Sequence, residues 1–186
     1  MAFLTEAEAR AAGERASVLL RKTASSVIRE SISGKDHFDL FLSHSILDQV
    51  VVLGAMRYLE DTGLSVYVDW EVDPQFGRSK VDCTTASVIR QRMQQCDSLL
   101  YLWSRNASQS KWMPWELGYF DALRGKVAVM PLLSQPGETF VGSEYVGLYP
   151  TVDLPRVAGK RVAVIDGIAA RTWTKNVLEI KFSPSG

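Results

Sequence analysis

Phe38-Asp39-Leu40-Phe41-Leu42-Ser43-His44-Ser45 is the stretch that decides the fold. Its apolar run, interrupted only by Asp39, suits a short strand covered on both faces, as in a parallel sheet. Two serines and a histidine end it with polar groups. From here strand and helix patterns alternate. Ser45 to Asp48 offer caps for a helix through Leu59, which Gly63 closes. Leu64 to Asp69 is β-branched and aromatic, a second strand. The charged loop Trp70 to Lys80 carries Pro74 and Gly77 and has a length usually kept for function. Thr84 or Thr85 opens a helix with Ala86, Ile89, Met93 and Cys96 spaced three or four apart. Leu99 to Trp103 forms a third strand. The polar loop Ser104 to Ser110 leads to a helix ending at Gly125, and Val127 to Leu133 is a fourth strand. Tyr145 to Leu148 reads as a fifth strand, with Arg161 to Ile165 as another candidate, and Ala169 to Ile180 as a closing helix.

Such alternation, with short connections, implies right-handed crossovers and a central parallel sheet of about five strands. The expected class is an α/β, flavodoxin-like three-layer sandwich of order 2-1-3-4-5. Its ligand crevice lies beyond the carboxyl ends of strands one and three. Those ends are Ser43-His44-Ser45 and Ser104-Arg105-Asn106. Upstream, residues 5 to 32 read as one long helix. Thr5 and Glu8 make a capping box, and Ala12, Ala16, Leu19, Thr23 and Val27 share a stripe. This N-terminal helical arm, residues 1–35, is set apart from the α/β domain, residues 36–186.

Composition narrows the function. At 186 residues the chain supports one substantial core. Its 21 basic residues cancel 21 acidic ones, so no global field points to nucleic acid or an anionic membrane. No apolar run reaches the roughly 18 residues of a membrane-spanning helix, and Met1 to Arg10 lacks the order of a secretory signal. Cys83, Cys96, His37 and His44 are the only thiols and imidazoles, and their spacing matches neither a disulfide framework nor a zinc site. A cytoplasmic protein holding no metal or resident cofactor is expected.

The most unusual stretch is Ser110-Lys111-Trp112-Met113-Pro114-Trp115-Glu116-Leu117-Gly118-Tyr119-Phe120. Pro114 is tolerated only in a first helical turn, so the helix starts between Ser110 and Met113. Trp112, Glu116 and Phe120 then share a face. This places a carboxylate one turn from an indole, near the positive end of a helix and beside the crevice. The indole offers a stacking surface; the carboxylate can bind sugar hydroxyls or stabilise a developing oxocarbenium ion. A glutamate in a first turn also serves the helix dipole, and tryptophan also serves the core. Ser43, His44 and Ser45 line the first rim, Asp69 and Trp70 end the second strand, and Arg105 could meet a phosphate. No G-x-S-x-G elbow, Rossmann glycine motif or P-loop occurs.

Phe38 to Ser45, Val66-Tyr67-Val68-Asp69, Cys96-Asp97-Ser98-Leu99-Leu100 and Trp112 to Leu117 occur in the order of a Toll/interleukin-receptor (TIR) domain. The chain resembles the small bacterial TIR proteins of anti-phage defence (Thoeris-type), over about residues 36 to 133. The resemblance implies an enzyme cleaving NAD+ at the nicotinamide–ribose bond, to ADP-ribose or a cyclic isomer. It places the family's catalytic glutamate on Glu116 and a substrate-site tryptophan on Trp112. Trp70 to Lys80 falls on the family's BB loop, which borders the site and enters TIR–TIR contacts. NAD+ is then a substrate, self-association is expected, and a separate effector receiving a nucleotide messenger is a further partner. The alternative is a non-catalytic adaptor working through TIR–TIR assembly.

Overall fold

The computed structural model describes residues 3–45, 47, 49–69, 83–142, 144–157, 160–161 and 163–175. Its centre is a parallel five-stranded sheet. In chain order the strands are β1 (Leu4–Thr5), β2 (Phe38–Ser43), β3 (Val66–Val68), β4 (Cys96–Trp103) and β5 (Val127–Leu133). They lie side by side as β3-β2-β4-β5-β1. Register pairs Leu40 with Val66 and Ser98, Ser43 with Tyr101, and Leu99 with Val127. The helices are α1 (Glu6–Leu20), α2 (Ala24–Ile32), α3 (Gln49–Glu60), α4 (Cys83–Gln94) and α5 (Met113–Arg124).

Strand periodicity sorts the core into two layers. Leu40, Leu42, Leu100, Leu102, Ala128 and Met130 pack with α1, α2 and α3. Phe41, Leu99, Tyr101, Val127 and Val129 pack with Ile89 and Met93 of α4 and Leu117 and Phe120 of α5. Both faces are thus covered, which is why the strands read as nearly continuous apolar runs. The architecture is the flavodoxin-like sandwich expected of the alternation.

Four local expectations are corrected. The fifth sheet position belongs to β1, where Leu4 and Thr5 pair with Leu132 and Leu133. Tyr145 to Leu148 instead lies in a 3₁₀ helix, Glu144–Leu148, with Val146 buried and Leu148 exposed. Alternation over so short a segment cannot separate the two geometries. The single helix over residues 5 to 32 is two: Arg21 takes a left-handed conformation (φ 52°), and the Thr23 hydroxyl caps α2 by accepting from the Ser26 amide. The proposed stripe does not survive, since Leu19 is 83% exposed. The buried side of α1 is instead Ala9 and Gly13, small enough to bring its backbone against α3. Cys96 is buried as read, but as the first residue of β4 rather than on a helix.

After β5 the chain makes β6 (Val152–Asp153), the β7–β8 hairpin (Arg156–Val157 and Lys160–Arg161), β9 (Val164–Ile165) and β10 (Ile168–Ala169). β6, β9 and β10 form a small antiparallel sheet. The Arg161 to Ile165 candidate is therefore split between β8 and β9. The closing helix, α6, is described over Ala170–Lys175, the rest of that reading lying outside the described residues. Trp173 of α6 enters the core, and the Lys126 ammonium donates to the Thr174 carbonyl at 2.7 Å.

Gly118, inside α5, meets nothing within 4 Å where a Cβ would stand. Gly118→Ala is expected to stabilise the fold by about 0.5–1 kcal/mol through helix propensity. Calorimetry should then show a thermal midpoint higher by about 2–3 °C.

Candidate functional site

The carboxyl ends of β2 and β4 and the start of α5 converge on one point. α5 begins where the sequence allows it. The Ser110 hydroxyl accepts from the Met113 amide at 3.3 Å, and Pro114 occupies the first turn, where its missing N–H costs nothing. Gly125, in the left-handed region (φ 63°), ends the helix. Glu116 therefore sits in the first turn, where exposed amides and the helix dipole favour a negative charge.

Its side chain faces inward and is only 2% exposed. The Ser43 hydroxyl donates to Glu116 Oε2 at 2.5 Å. The alternation of β2 accounts for this contact: Phe41 and Ser43 point to the face that α5 covers, Leu42 to the other. A short O–H···O bond to a carboxylate is among the stronger hydrogen bonds a protein makes. Tyr101, the register partner of Ser43 on β4, lies on the same face of the sheet and is also buried. Burial first, then the Tyr145 and Glu116 groups beside it, push the Tyr101 phenol well above its ordinary range.

Trp112, one turn before Glu116, is buried at 4% exposure, with its ring edge-on to Trp115 at 5.4 Å. Its indole N–H has no hydrogen-bond acceptor among the described residues. A buried donor without an acceptor costs about 1–3 kcal/mol, so a ligand oxygen placed there would be bound at an advantage. Trp115 faces away from this point, stacking on Tyr119 with the Arg90 guanidinium 5.8 Å from its ring centre.

The remaining rim residues distribute unevenly. His44 and Ser45 are buried next to Ser43, and the His44 Nδ1–H donates to the Leu42 carbonyl at 3.0 Å. That bond presents the other ring nitrogen as an acceptor in the neutral ring. Asp69 is buried at the end of β3. Arg105 is largely exposed and turned to the sheet edge, donating to the Ser134 hydroxyl at 3.1 Å with Glu6 at 3.9 Å. Trp70 and the loop to Lys80 lie outside the described residues. Sequence reading assigned no role to Tyr101 or Tyr145. The register of β2 against β4 was the signal that could have found Tyr101, since it sets that ring beside Ser43.

A separate cavity of about 430 Å³ opens at the other edge of the sheet, where the amino ends of β2 and β4 lie. Arg29, Lys35, Asp36, Tyr67 and Arg92 line it. Among the described residues no cluster of three or more His, Cys, Asp or Glu is arranged to hold a metal ion, and no helix is long and apolar enough to cross a membrane.

No protein-family profile matches the chain. Two curated bacterial proteins do. One, from Bacillus cereus (strain MSX-D12), is described as a probable 3' cyclic ADP-D-ribose synthase; it is 53% identical over 116 residues, 62% of this chain and 60% of that protein. Another, from Cytobacillus dafuensis, is described with the same reserve as a cyclic ADP-D-ribose synthase; it is 29% identical over 109 residues, 58% of this chain and 28% of that protein. The matched region thus spans less than two thirds of either relative. The chain is homologous to these bacterial proteins.

Proposed function

We propose that this chain cleaves NAD+ at the nicotinamide–ribose bond and joins the ribose back onto the same molecule, giving a cyclic ADP-ribose. The observation that carries the reading is the buried Glu116 carboxylate, held by Ser43 at the carboxyl end of the sheet, one turn from Trp112. The homology to two bacterial proteins described as cyclic ADP-D-ribose synthases supports it.

The chemistry asks little of the protein. Nicotinamide leaves as a neutral molecule, taking the electron pair of the C–N bond, while positive charge develops on the ribose. Glu116 binds ribose hydroxyls in the ground state and opposes that charge in the transition state, where its effect on rate is exerted. Trp112 walls the nicotinamide side and offers its indole N–H to a substrate oxygen. A hydroxyl of the substrate then attacks the ribose carbon and gives up its proton; water attacking instead yields ADP-ribose. The drier the closed site, the more cyclisation prevails.

Incubating the full chain with NAD+ in ¹⁸O-water and following nicotinamide and the adenine-containing product tests this. Release with an unlabelled product that has lost only nicotinamide is expected. A product carrying ¹⁸O would move the reading to hydrolysis, and intact NAD+ would leave the TIR-adaptor alternative. The TIR resemblance also suggests that two copies complete the site. Activity per molecule should then rise with protein concentration, and a constant specific activity would refute assembly. A role in anti-phage defence, with the product as messenger to a separate effector, follows from the same resemblance.

Ser43→Ala removes the hydroxyl that orients Glu116. A hydrogen bond to a carboxylate contributes about 1.5–3 kcal/mol, so nicotinamide release should fall about 10- to 100-fold, chiefly in kcat, in steady-state assays.

A further inference from the structure

The cavity at the amino end of the sheet gathers residues that the proposed chemistry leaves unused. Arg29 and Ile32 come from the end of α2, Lys35 and Asp36 from the connection to β2, Tyr67 from β3 and Arg92 from the last turn of α4. Its volume of about 430 Å³ is in the range of small-molecule sites. A phosphate ion, equal to a few waters of about 30 Å³ each, would leave most of it open. Ile32 and Tyr67 are buried and give the cavity a largely apolar floor, whereas Arg29 and Lys35 are exposed. The Arg92 guanidinium lies over the Tyr67 ring, 5.7 Å from its centre, and donates to Gln95 Oε1 at 3.0 Å.

The charge there is out of balance. Glu30, which also lines the cavity, is ion-paired with Lys22 outside it. Among the lining residues this leaves Asp36 against Arg29, Lys35 and Arg92. Neither the Arg29 guanidinium nor the Lys35 ammonium makes a hydrogen bond or an ion pair among the described residues. Arg29 and Arg92 stand in the last turns of their helices, where a cation offsets the dipole. Two such helix ends carry about half a negative charge each, so about one positive charge is left over. We propose that this cavity binds a mononucleotide, with Arg29 and Lys35 taking the phosphate and the planar Arg92 guanidinium, braced on Tyr67, stacking on the base. The phosphate answers the surplus charge; the base uses the floor and the stacking plane, which a bare anion leaves idle. The inference is independent of the reading of Glu116, which lies at the opposite end of the strands.

The test titrates the full chain with AMP, adenosine, ribose 5-phosphate and inorganic phosphate, following backbone amide shifts by NMR. AMP is expected to saturate, with the largest shifts at Ile32, Gly34 and Tyr67, which line the cavity. Adenosine lacks the phosphate and ribose 5-phosphate lacks the base, so each should bind about tenfold more weakly or worse, a loss of about 1.4 kcal/mol. Arg29→Gln and Lys35→Gln should each weaken AMP about 3- to 10-fold, the effect of one charge-assisted hydrogen bond moderated by solvent. Arg10→Gln, exposed on α1 and outside the cavity, serves as control at wild-type affinity.

Salt supplies a second readout. AMP affinity should fall between about 50 and about 500 mM sodium chloride, as screening weakens the phosphate contacts, while adenosine binding stays put. Shifts confined to Ser43, Trp112 and Glu116 would put AMP in the NAD+ site and overturn the proposal. So would the absence of any shift at about 10 mM AMP, a Kd beyond specific recognition. Inorganic phosphate binding as tightly as AMP would also overturn it, reducing the cavity to a general anion site, as would wild-type AMP affinity in both Arg29→Gln and Lys35→Gln. None of these measurements depends on turnover, so a chain that releases no nicotinamide ends the NAD+-cleaving reading without touching this one.

Discussion

Glu116→Gln is expected to lower the rate of nicotinamide release from NAD+ by about a thousandfold while leaving the fold in place. Glutamine has the shape of glutamate and still offers an oxygen to the Ser43 hydroxyl, now 2.5 Å from Oε2. It can also still touch ribose hydroxyls. What it lacks is the full negative charge opposite the ribose as the C–N bond breaks. A preorganised group aimed at charge that develops in the transition state contributes about 10²–10³ in kcat in other enzymes. A carboxylate facing an oxocarbenium ion inside a water-poor site belongs at the upper end. Loss of that charge acts on the transition state more than on substrate binding, so kcat falls and KM changes little. The thermal midpoint is the control, and it should stay within a few degrees of wild type. Equal rates for wild type and variant would remove Glu116 from the mechanism.

Gly54→Ala is expected to be the most damaging of the conservative substitutions to stability. A Cβ at Gly54 would stand 1.7 Å from the Ala9 carbonyl oxygen and 2.6 Å from its carbon. At Gly13 the corresponding atom would meet the Val50 carbonyl oxygen at 2.0 Å. Both obstacles are backbone, so no side chain can swing aside, and α1 has to move off α3. Overpacking in a core typically costs about 1–3 kcal/mol, and helix propensity returns only about 1 kcal/mol. Backbone obstacles put the cost at the top of that range, so a net loss of about 2 kcal/mol lowers the thermal midpoint by about 4–8 °C in a chain of this length. The effect should spread along the arm, because Thr5 both ends β1 and caps α1 through Glu8. Hydrogen exchange should accelerate over residues 4–20 and at Leu132 and Leu133, the partners of β1. An unchanged midpoint would mean that the two helices do not approach this closely.

These two positions differ in how far the sequence revealed them. Pro114, Trp112 and Glu116 form a local pattern, and helix geometry alone places the glutamate one turn from the indole. The inner sheet strands were legible for the same reason: Leu40 to Leu42 and Leu99 to Leu102 are apolar on both faces, as a covered parallel sheet requires. The Ser43–Glu116 contact joins residues 73 apart. It could be foreseen only by combining the strand order with the parity of β2. β1 is a two-residue strand whose sole pairing is with Leu132 and Leu133, and two residues carry no periodicity. The break at Arg21 was hidden because Thr23 reads equally well as a helix-interior residue or as the cap of a new helix. The close approach of α1 and α3 was not legible from the stripe: it depends on Gly13 and Gly54, and neither registers as apolar.

Everything in the proposed chemistry turns on the Glu116 carboxylate facing the ribose of NAD+. A crystal structure of the full chain carrying Glu116→Gln, soaked briefly with NAD+, tests it most directly, since the variant keeps the shape of the site while turning over far more slowly. The nicotinamide-bearing ribose is expected within hydrogen-bond distance of residue 116, with the Trp112 indole alongside. NAD+ seated instead in the cavity between Arg29 and Arg92, with residue 116 still closed on Ser43, would contradict it.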